Sequence, residues 1–386
     1  MGLIPYRNAK RFLRKALLQP GYALRILGKR SQALARHTLG LDFAAAPEAV
    51  TIFLTHKCNL RCVMCGQWGE GGVTRQDHSG LVNEELSADE LKKIVKGLSA
   101  FSPAVTLFGG EPLLHPACIE LIRQIKSAGM HCVLITNGSL LSARAQEVVS
   151  SGLDELNVSL DGGRDLHDRI RGLPGVFEKI TAGIAEVQRF KKETGSARPL
   201  LNLQCTINKY NYAHLEQMTQ VALDTGADSL TFHNLIFLDK AVLGKQKEID
   251  LTLGSSSKDW GGFEIEPGID SAALDAKIKE IRSKKYPFAV DFYPNFSSAQ
   301  RKAYYEDNCF IPTEYPFRCL SPWLVAYIFP DGSVRPCLNS SYSFGNASSG
   351  PFMKAWNSPE ARRFRRLLFE RKAFPACVRC TELYRY

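Results

Sequence analysis

The chain has 386 residues, of which 45% are hydrophobic and 23% are charged, and its formal net charge is +10. This composition is ordinary for a globular protein with one large domain and a smaller one, and no run of about 20 apolar residues is long enough to cross a membrane. Nine cations precede Asp42, so the remaining chain is close to neutral, which argues against a nucleic-acid-binding core.

Residues 1–49 are predicted to be a basic amphipathic extension. Apolar side chains are mixed with the nine cations, and Pro20-Gly21 is expected to divide residues 3–41 into two short helical pieces. Such a segment either packs against the next domain with its cations in water, or lies on an anionic membrane or an acidic partner. Because no secretory signal is evident, we expect a cytoplasmic protein, with peripheral contact to the inner face of the membrane as the alternative for this segment.

The first group of cysteines follows the apolar run of residues 50–54. Cys58, Cys62 and Cys65 have the spacing C-x3-C-x2-C, which places three thiolates on three irons of a cuboidal iron–sulfur cluster. Residues 66–117 contain no cysteine for the fourth iron, which is therefore left open to bind a ligand. A structural zinc loop and a group of buried thiols are the alternatives.

With Met64 at the apolar position, residues 55–65 resemble the cluster loop of the radical S-adenosylmethionine (SAM) enzymes, C-x3-C-x-Φ-C. The resemblance implies that the open iron of a [4Fe-4S] cluster binds the amino and carboxylate groups of SAM. It also implies that reductive cleavage of SAM yields a 5′-deoxyadenosyl radical, which abstracts a hydrogen atom from the substrate. We refer to residues 55–65 as the cluster loop.

Residues 50–236 alternate between short strands, rich in branched apolar residues, and helical patterns. Repeats of this kind imply parallel strands joined by crossover helices, and hence an α/β fold that we predict to be a partial (β/α)6 TIM-like barrel. Chemistry is then expected at the carboxyl ends of the strands. The predicted strands are 50–55, 104–108, 132–136, 155–160, 201–207 and 229–234.

Polar motifs follow the predicted strands. Gly109-Gly110-Glu111-Pro112 resembles the GGEP motif of the family, in which the glycines let the backbone approach the methionine moiety of SAM, and Glu111 or nearby backbone oxygens accept hydrogen bonds from its ammonium group. A simple turn is the alternative interpretation. By the same resemblance, the predicted SAM-binding residues are Gly109, Gly110, Glu111, Pro112, Asn137, Ser159, Asp161, Arg171, Thr206, Asn208 and His233.

Within that set, Ser159 and Asp161 are expected to face the SAM ribose or the substrate. Arg171 is expected to meet the SAM carboxylate through a charge-assisted pair. Thr206, Asn208 and His233 are expected to touch ribose, adenine or substrate, although His233 also fits a hydrogen-bonded core histidine. Residues 237–308 contain no recognisable substrate motif and are predicted to be an insertion that shapes substrate access.

A second cysteine group lies in residues 309–386. A hairpin around the turn Pro330-Asp331-Gly332 is predicted to bring Cys319 and Cys337 together, and Cys377 and Cys380 form a C-x2-C pair after a helix predicted over residues 353–370. Alone, this four-sulfur site also fits a zinc ribbon. In this chain it resembles the auxiliary-cluster module of radical SAM enzymes, in the single-cluster "twitch" form rather than the larger SPASM form, which implies one auxiliary [4Fe-4S] cluster.

The remaining cysteines are assigned to other environments. Cys118, Cys132 and Cys205 lie in helix or strand patterns and are predicted to be core residues. Three interpretations of Cys309 stay open: a substitute ligand of the second group, a thiol on the substrate side, or a packed or accessible thiol without such a role. Since seven of the eleven cysteines have ligand-like spacing, metal ligation in a reducing compartment fits better than a disulfide scaffold.

These features predict a radical SAM oxidoreductase that oxidises a small molecule or glycan, with the auxiliary cluster as electron acceptor and a flavodoxin or ferredoxin as reductant. The first alternative is a maturase that modifies peptide or protein side chains. We rank it second because the residues before the barrel show no small winged-helix peptide-recognition domain. The second alternative, from another class, is a non-catalytic iron–sulfur electron carrier.

Overall fold

A computed structural model describes residues 6–9, 13, 17 and 20–386, and a ten-stranded sheet runs through this part of the chain. The strands lie in the order β10-β9-β8-β1-β2-β3-β4-β5-β6-β7, and all neighbours from β8 to β7 pair in parallel. The strands are β1 (Ala49–Phe53), β2 (Ala104–Phe108), β3 (Cys132–Thr136), β4 (Glu155–Ser159), β5 (Leu200–Thr206), β6 (Ser229–His233), β7 (Ala289–Tyr293), β8 (Val325–Ile328), β9 (Ser333–Arg335) and β10 (Gly345–Asn346).

Helices connect the parallel strands and cover one face of the sheet. The helices are α1 (Pro20–Thr38), α2 (Ala88–Ser99), α3 (Cys118–Ser127), α4 (Leu141–Ser150), α5 (Arg164–Arg171), α6 (Val176–Thr194), α7 (Glu216–Asp224), α8 (Lys240–Leu253), α9 (Ser271–Ser283), α10 (Ser298–Glu306), α11 (Ser321–Leu324), α12 (Phe352–Trp356) and α13 (Pro359–Arg371). Leu201, Leu203 and Cys205 of β5 are fully buried on the helix-covered face, whereas the alternating polar residues of β5 are half-buried on the face that lines the barrel interior.

The six predicted strands are confirmed, but the parallel sheet is longer than the sequence predicted. A seventh strand, β7, lies inside the segment predicted to be an insertion, and it pairs with β6 at one edge of the sheet. The predicted hairpin is present as β8 and β9, yet it belongs to the same sheet because β8 pairs in parallel with β1. β7 was missed because Asp291 interrupts its apolar pattern and the strand is covered on one side only.

One predicted helix differs from the helices observed. The helix predicted over residues 353–370 is divided into α12 and α13, because Ser358 caps α13 and Pro359 occupies its first turn. At the N-terminus, α1 starts at Pro20, which agrees with a second helical piece after the predicted break. Most of the first predicted helical piece lies outside the described residues.

Helix α1 packs against the barrel. It buries Ile26, Ala33 and His37, and Arg30 donates two hydrogen bonds of 2.9 Å to the buried carboxylate of Glu48, just before β1. The opposite face leaves Leu24 71% exposed. No helix in the described part of the chain is long and apolar enough to cross a membrane.

The cysteines outside the two groups occupy the predicted environments. Cys118, Cys132 and Cys205 are at most 2% exposed and belong to the main core, as predicted. Cys309 is exposed, which fits an accessible thiol.

Candidate active site

The cluster loop begins after the carboxyl end of β1 and rests on the end of α5. Val63 N donates to Ile170 O at 3.0 Å, and Arg61 N donates to Arg171 O at 3.3 Å. Gly172 has a positive φ of 71°, and a Cβ atom there would lie 2.8 Å from Arg61 O. The end of α5 therefore fixes the loop that carries the three cysteines.

The two glycines of the Gly109-Gly110-Glu111-Pro112 turn lie against the cluster loop. Gly110 N donates to Thr55 O, and Glu111 N donates to Lys57 O, each at 2.8 Å. A Cβ atom at Gly109 would lie 2.7 Å from Thr55 O, and one at Gly110 would overlap Lys57 O. These glycines are thus required for the approach of the cluster loop itself, a role that we did not predict.

Glu111 is buried, and both of its carboxylate oxygens are engaged within the protein. Oε1 accepts hydrogen bonds from Thr136 Oγ1 at 2.7 Å and from Leu113 N at 3.0 Å, and Oε2 accepts one from Asn137 N at 2.7 Å. Burial raises the pKa of Glu111 in spite of these donors. These hydrogen bonds join the turn after β2 to the end of β3. Pro112 starts a short 3-10 helix.

Asn137 connects β3 to the cluster loop. Its Nδ2 donates to Asn59 Oδ1 at 2.9 Å, and its Oδ1 accepts hydrogen bonds from Ser139 N and Ser139 Oγ. Asn59 lies next to Cys58, so this predicted SAM-site residue contacts the segment that holds the first cysteine.

Asp161, Arg171 and Cys62 form a buried chain of contacts. Asp161 is 0% exposed, its Oδ1 accepts a hydrogen bond from Thr206 N, and its Oδ2 lies 2.6 Å from Arg171 Nε. Arg171 Nη1 donates to Cys62 Sγ at 3.7 Å. Burial alone would lower the pKa of Arg171, but the charges of Asp161 and Cys62 raise it, so the guanidinium is positive. The arginine predicted to meet a carboxylate of SAM is therefore placed between a protein carboxylate and a cysteine sulfur.

We expect Arg171→Met to destabilise the fold by about 3–5 kcal/mol, because it leaves the buried Asp161 without its cation. Urea unfolding of the metal-free protein measures this change. Asp161→Leu combined with Arg171→Met should recover part of the loss, since no buried charge then remains. An unchanged unfolding midpoint for Arg171→Met would contradict the assignment, and the exposed Arg164→Met provides a control.

The remaining predicted residues lie at or near the strand ends. Ser159 ends β4 on the barrel-interior face, and Thr206 ends β5 in register with His233 of β6. His233 is half-buried on that face and hydrogen-bonds with Gln204. Asn208 uses its side chain locally, accepting from Tyr210 N and donating to Thr206 O. Its amide therefore stabilises the turn after β5.

A deeper polar layer of the barrel interior was not predicted. Asn202 Nδ2 donates to Glu155 Oε2 and Asn157 Oδ1, and Ser229 Oγ donates to Asn202 Oδ1. The signal was present in the alternation of Asn202, Gln204 and Thr206 along one strand, because alternate residues face the same side of a sheet. The interior face thus offers several amide and hydroxyl groups.

The four cysteines of the second group line one mostly apolar cavity of about 40 Å³, which we call the auxiliary cavity. Cys319 precedes α11, Cys337 follows β9, and Cys377 and Cys380 lie at a 3-10 turn. Four lining residues, Gln246, Asp250, Leu253 and Trp260, come from the segment predicted to shape substrate access. The predicted juxtaposition of Cys319, Cys337 and the C-x2-C pair is therefore observed.

The chemistry of both cysteine groups fits iron–sulfur ligation. Trp68 N donates to Cys65 Sγ at 3.4 Å, and Arg171 donates to Cys62 Sγ as described above. Such N–H donors stabilise the negative charge that a cysteine sulfur carries when it is an iron ligand. Burial raises the pKa of Cys58 and of Cys377 to about 11, so iron binding must displace protons from these thiols. Among the described residues, no three His, Cys, Asp or Glu side chains are grouped as a single metal ion would require.

The 3-10 helix Ser257–Phe263 lies against Gly66 and also lines the auxiliary cavity. Trp260 is 4% exposed and lines the auxiliary cavity, whereas Phe263 covers Gly66, the residue after Cys65. A Cβ atom at Gly66 would lie 2.7 Å from the Phe263 ring. This segment therefore links the surroundings of the cluster loop to the auxiliary cavity.

Comparison with family models gives two matches. Residues 52–218 match the model described as the radical SAM superfamily, and residues 319–381 match the SPASM model, described as an iron-sulfur cluster-binding domain. The first match contains the cluster loop and the Gly109-Gly110 turn, and the second contains all four cysteines of the auxiliary cavity. The second match identifies that cavity as an iron–sulfur site, so the zinc-ribbon alternative is set aside.

Relatives with different substrates are similar to much of the chain. An AdoMet-dependent heme synthase of Methanosarcina barkeri is 27% identical over 82% of this chain and 84% of its own length. A probable GTP 3',8-cyclase of Sulfurisphaera tokodaii is 30% identical over 77% of this chain and 82% of its own length. A PqqA peptide cyclase of Ruegeria pomeroyi is 29% identical over 76% of this chain and 68% of its own length.

The fold is similar to that of a solved structure, Streptococcus suis SuiB bound to its precursor peptide SuiA. The TM-score is 0.58 at 16% sequence identity, and the match covers 89% of this chain and 72% of that chain. At this level of identity the likeness concerns the fold alone.

Proposed function

Because the chain belongs to the radical SAM superfamily and carries a C-terminal iron–sulfur cluster-binding domain, we propose that it oxidises a small molecule or glycan, with its auxiliary cluster as electron acceptor. Family membership makes it a radical SAM enzyme with SAM, a SAM-binding [4Fe-4S] cluster and an auxiliary iron–sulfur cluster as cofactors. With these bound, SAM is cleaved reductively and the 5′-deoxyadenosyl radical takes a hydrogen atom from the substrate.

The residues of this chain then have the following proposed roles. Cys58, Cys62 and Cys65 hold the SAM-binding cluster, and Arg171 donates to the thiolate of Cys62. Gly109 and Gly110 allow the loop to dock, and Glu111 holds the strand ends beside it. The ligands of the auxiliary [4Fe-4S] cluster are Cys319, Cys337, Cys377 and Cys380.

The observation that carries the oxidation is the auxiliary cavity with four cysteines. Four thiolates complete the ligation of a [4Fe-4S] cluster and leave no iron open for substrate, which suits electron transfer. A cluster held by these four cysteines would accept the electron lost by the substrate radical, so that the substrate would lose two electrons and two hydrogens in total. A flavodoxin or ferredoxin is the proposed reductant for SAM cleavage.

The polar barrel interior supports a hydroxylated substrate. Ser159, Gln204, Thr206 and His233 lie on the interior face near the carboxyl ends of β4, β5 and β6. Amide, hydroxyl and imidazole groups bind polyols by hydrogen bonds, whereas a macrocycle such as heme needs an extended apolar surface. We therefore rank a sugar, cyclitol or other polar small molecule first.

Modification of a peptide or protein side chain is the second candidate. It is favoured by the similarity to a PqqA peptide cyclase, whose name states a peptide substrate. An electron carrier without catalysis is disfavoured, since the chain belongs to the radical SAM superfamily.

The two candidates are distinguished by incubating the reconstituted, reduced enzyme and SAM with carbon-deuterated substrates. One set contains aminocyclitols and sugars, and the other contains short peptides. With a deuterated polyol, we expect deuterium in 5′-deoxyadenosine. With the same polyol unlabelled, we expect a product that is two mass units lighter than the substrate. Transfer of deuterium only from peptides would reject the small-molecule proposal in favour of the second candidate.

A further inference from the structure

One carboxylate at the auxiliary cavity has no matching cation among the described residues. Asp250, on α8, is 4% exposed and lines the cavity together with the four cysteines. Its Oδ1 accepts hydrogen bonds from Gln246 Nε2 at 3.1 Å and Ser255 Oγ at 3.0 Å. Its Oδ2 has no hydrogen-bond partner in the described part of the chain, and no Lys or Arg described there pairs with it.

The other carboxylate that lines the cavity differs in this respect. Glu382 Oε2 accepts a hydrogen bond from Ser321 Oγ at 3.0 Å, and Glu382 Oε1 lies 3.2 Å from Arg385 Nη1. The charge of Glu382 is therefore matched by Arg385. A charge at Asp250 is not matched in this way.

Gln246 holds Asp250 in a defined position relative to the ligand loop. Gln246 is 3% exposed, and while its Nε2 donates to Asp250, its Oε1 accepts a hydrogen bond from Ala376 N at 3.1 Å. Ala376 directly precedes Cys377. The side chain of Gln246 thus connects the Asp250 carboxylate to the residue before the C-x2-C pair. These two hydrogen bonds fix the position of the carboxylate beside the cavity.

We propose that Asp250 sets the reduction potential of the auxiliary cluster by placing a carboxylate beside it without being a ligand. Reduction adds one negative charge to the cluster, and a neighbouring negative charge disfavours that step most strongly in a buried, weakly polarisable site. The potential is therefore lower than the four thiolates alone would give. This inference rests on the proposed role of the auxiliary cluster as an electron acceptor, because a low potential favours release of the accepted electron to an external iron–sulfur or flavin protein.

Redox titration of the full-length holoprotein, followed by electron paramagnetic resonance, tests this role. Asp250→Asn should favour the reduced auxiliary cluster at least tenfold, which is a rise of 59 mV for a one-electron couple. Glu248→Gln is the matched control, since it removes one charge from an exposed position of the same helix. It should change the ratio of reduced to oxidised auxiliary cluster much less. The same titration in a Cys58, Cys62 and Cys65→Ala background isolates the auxiliary signal.

The outcomes separate a role in the potential from a structural role. Asp250→Glu, which keeps the charge, should retain a potential near that of the unchanged protein. Asp250→Ser serves as a second neutral variant and should resemble Asp250→Asn. An unchanged potential in a neutral variant with full iron content would overturn the proposal, and so would loss of the auxiliary iron in both neutral variants. Because the titration needs no substrate or turnover, its result is independent of whether the proposed oxidation is correct.

Discussion

Simultaneous replacement of Cys58, Cys62 and Cys65 by alanine is expected to abolish formation of 5′-deoxyadenosine. In the proposed assignment, the three thiolates are the protein ligands of the cluster that delivers the electron to SAM. Of the cysteines outside the auxiliary cavity, Cys118, Cys132 and Cys205 are buried in the core and Cys309 is exposed. Iron should fall from about eight to about four atoms per chain, since the auxiliary cluster remains. Iron analysis and chromatography of a dithionite-reduced, SAM-containing reaction measure both effects.

The exposed Cys309 provides the matched control for this experiment. Cys309→Ala removes one thiol that lines neither cysteine site, so iron content and SAM cleavage should both be retained. Continued formation of 5′-deoxyadenosine by the triple variant, at the rate of the unchanged protein, would refute the assignment of the loop as the SAM-binding cluster site.

Replacement of Cys319, Cys337, Cys377 and Cys380 by alanine is expected to separate SAM cleavage from product formation. The cluster loop is held by α5 and the Gly109-Gly110 turn, which are distant in sequence from these four cysteines, so the SAM-binding cluster should still assemble. Without the auxiliary cluster, however, the substrate radical has no internal electron acceptor. We expect about four iron atoms per chain, measurable 5′-deoxyadenosine and loss of most of the oxidised product.

The half-buried Cys337 allows the same test with less risk to folding. Cys337→Ala removes one proposed ligand from the end of a hairpin, whereas Cys319 is more deeply buried. Circular dichroism of each variant establishes that the fold is retained. Oxidised product at the unchanged rate in a variant that lacks the auxiliary cluster would remove the electron-acceptor role from the mechanism.

Local features of the sequence determined the chemistry of the protein and most of its fold. The spacing of Cys58, Cys62 and Cys65, the Gly109-Gly110 turn and the C-x2-C pair are short patterns, so a ligand set is visible without knowledge of distant contacts. Six parallel strands were likewise predictable, because each is a run of apolar residues that needs no particular partner to be recognised. These signals sufficed for the family and its cofactors.

Contacts between distant segments decided what the individual side chains do. Gly109 and Gly110 accommodate the cluster loop, and Arg171 lies between Asp161 and Cys62, because the ends of β2, α5 and β1 converge. No local pattern states that β8 joins β1, or that Asp250 lies beside cysteines more than 60 residues later in the chain. Residue type and spacing specify which chemistry is available, whereas the partner of each buried charge is set by packing between segments that are far apart in sequence.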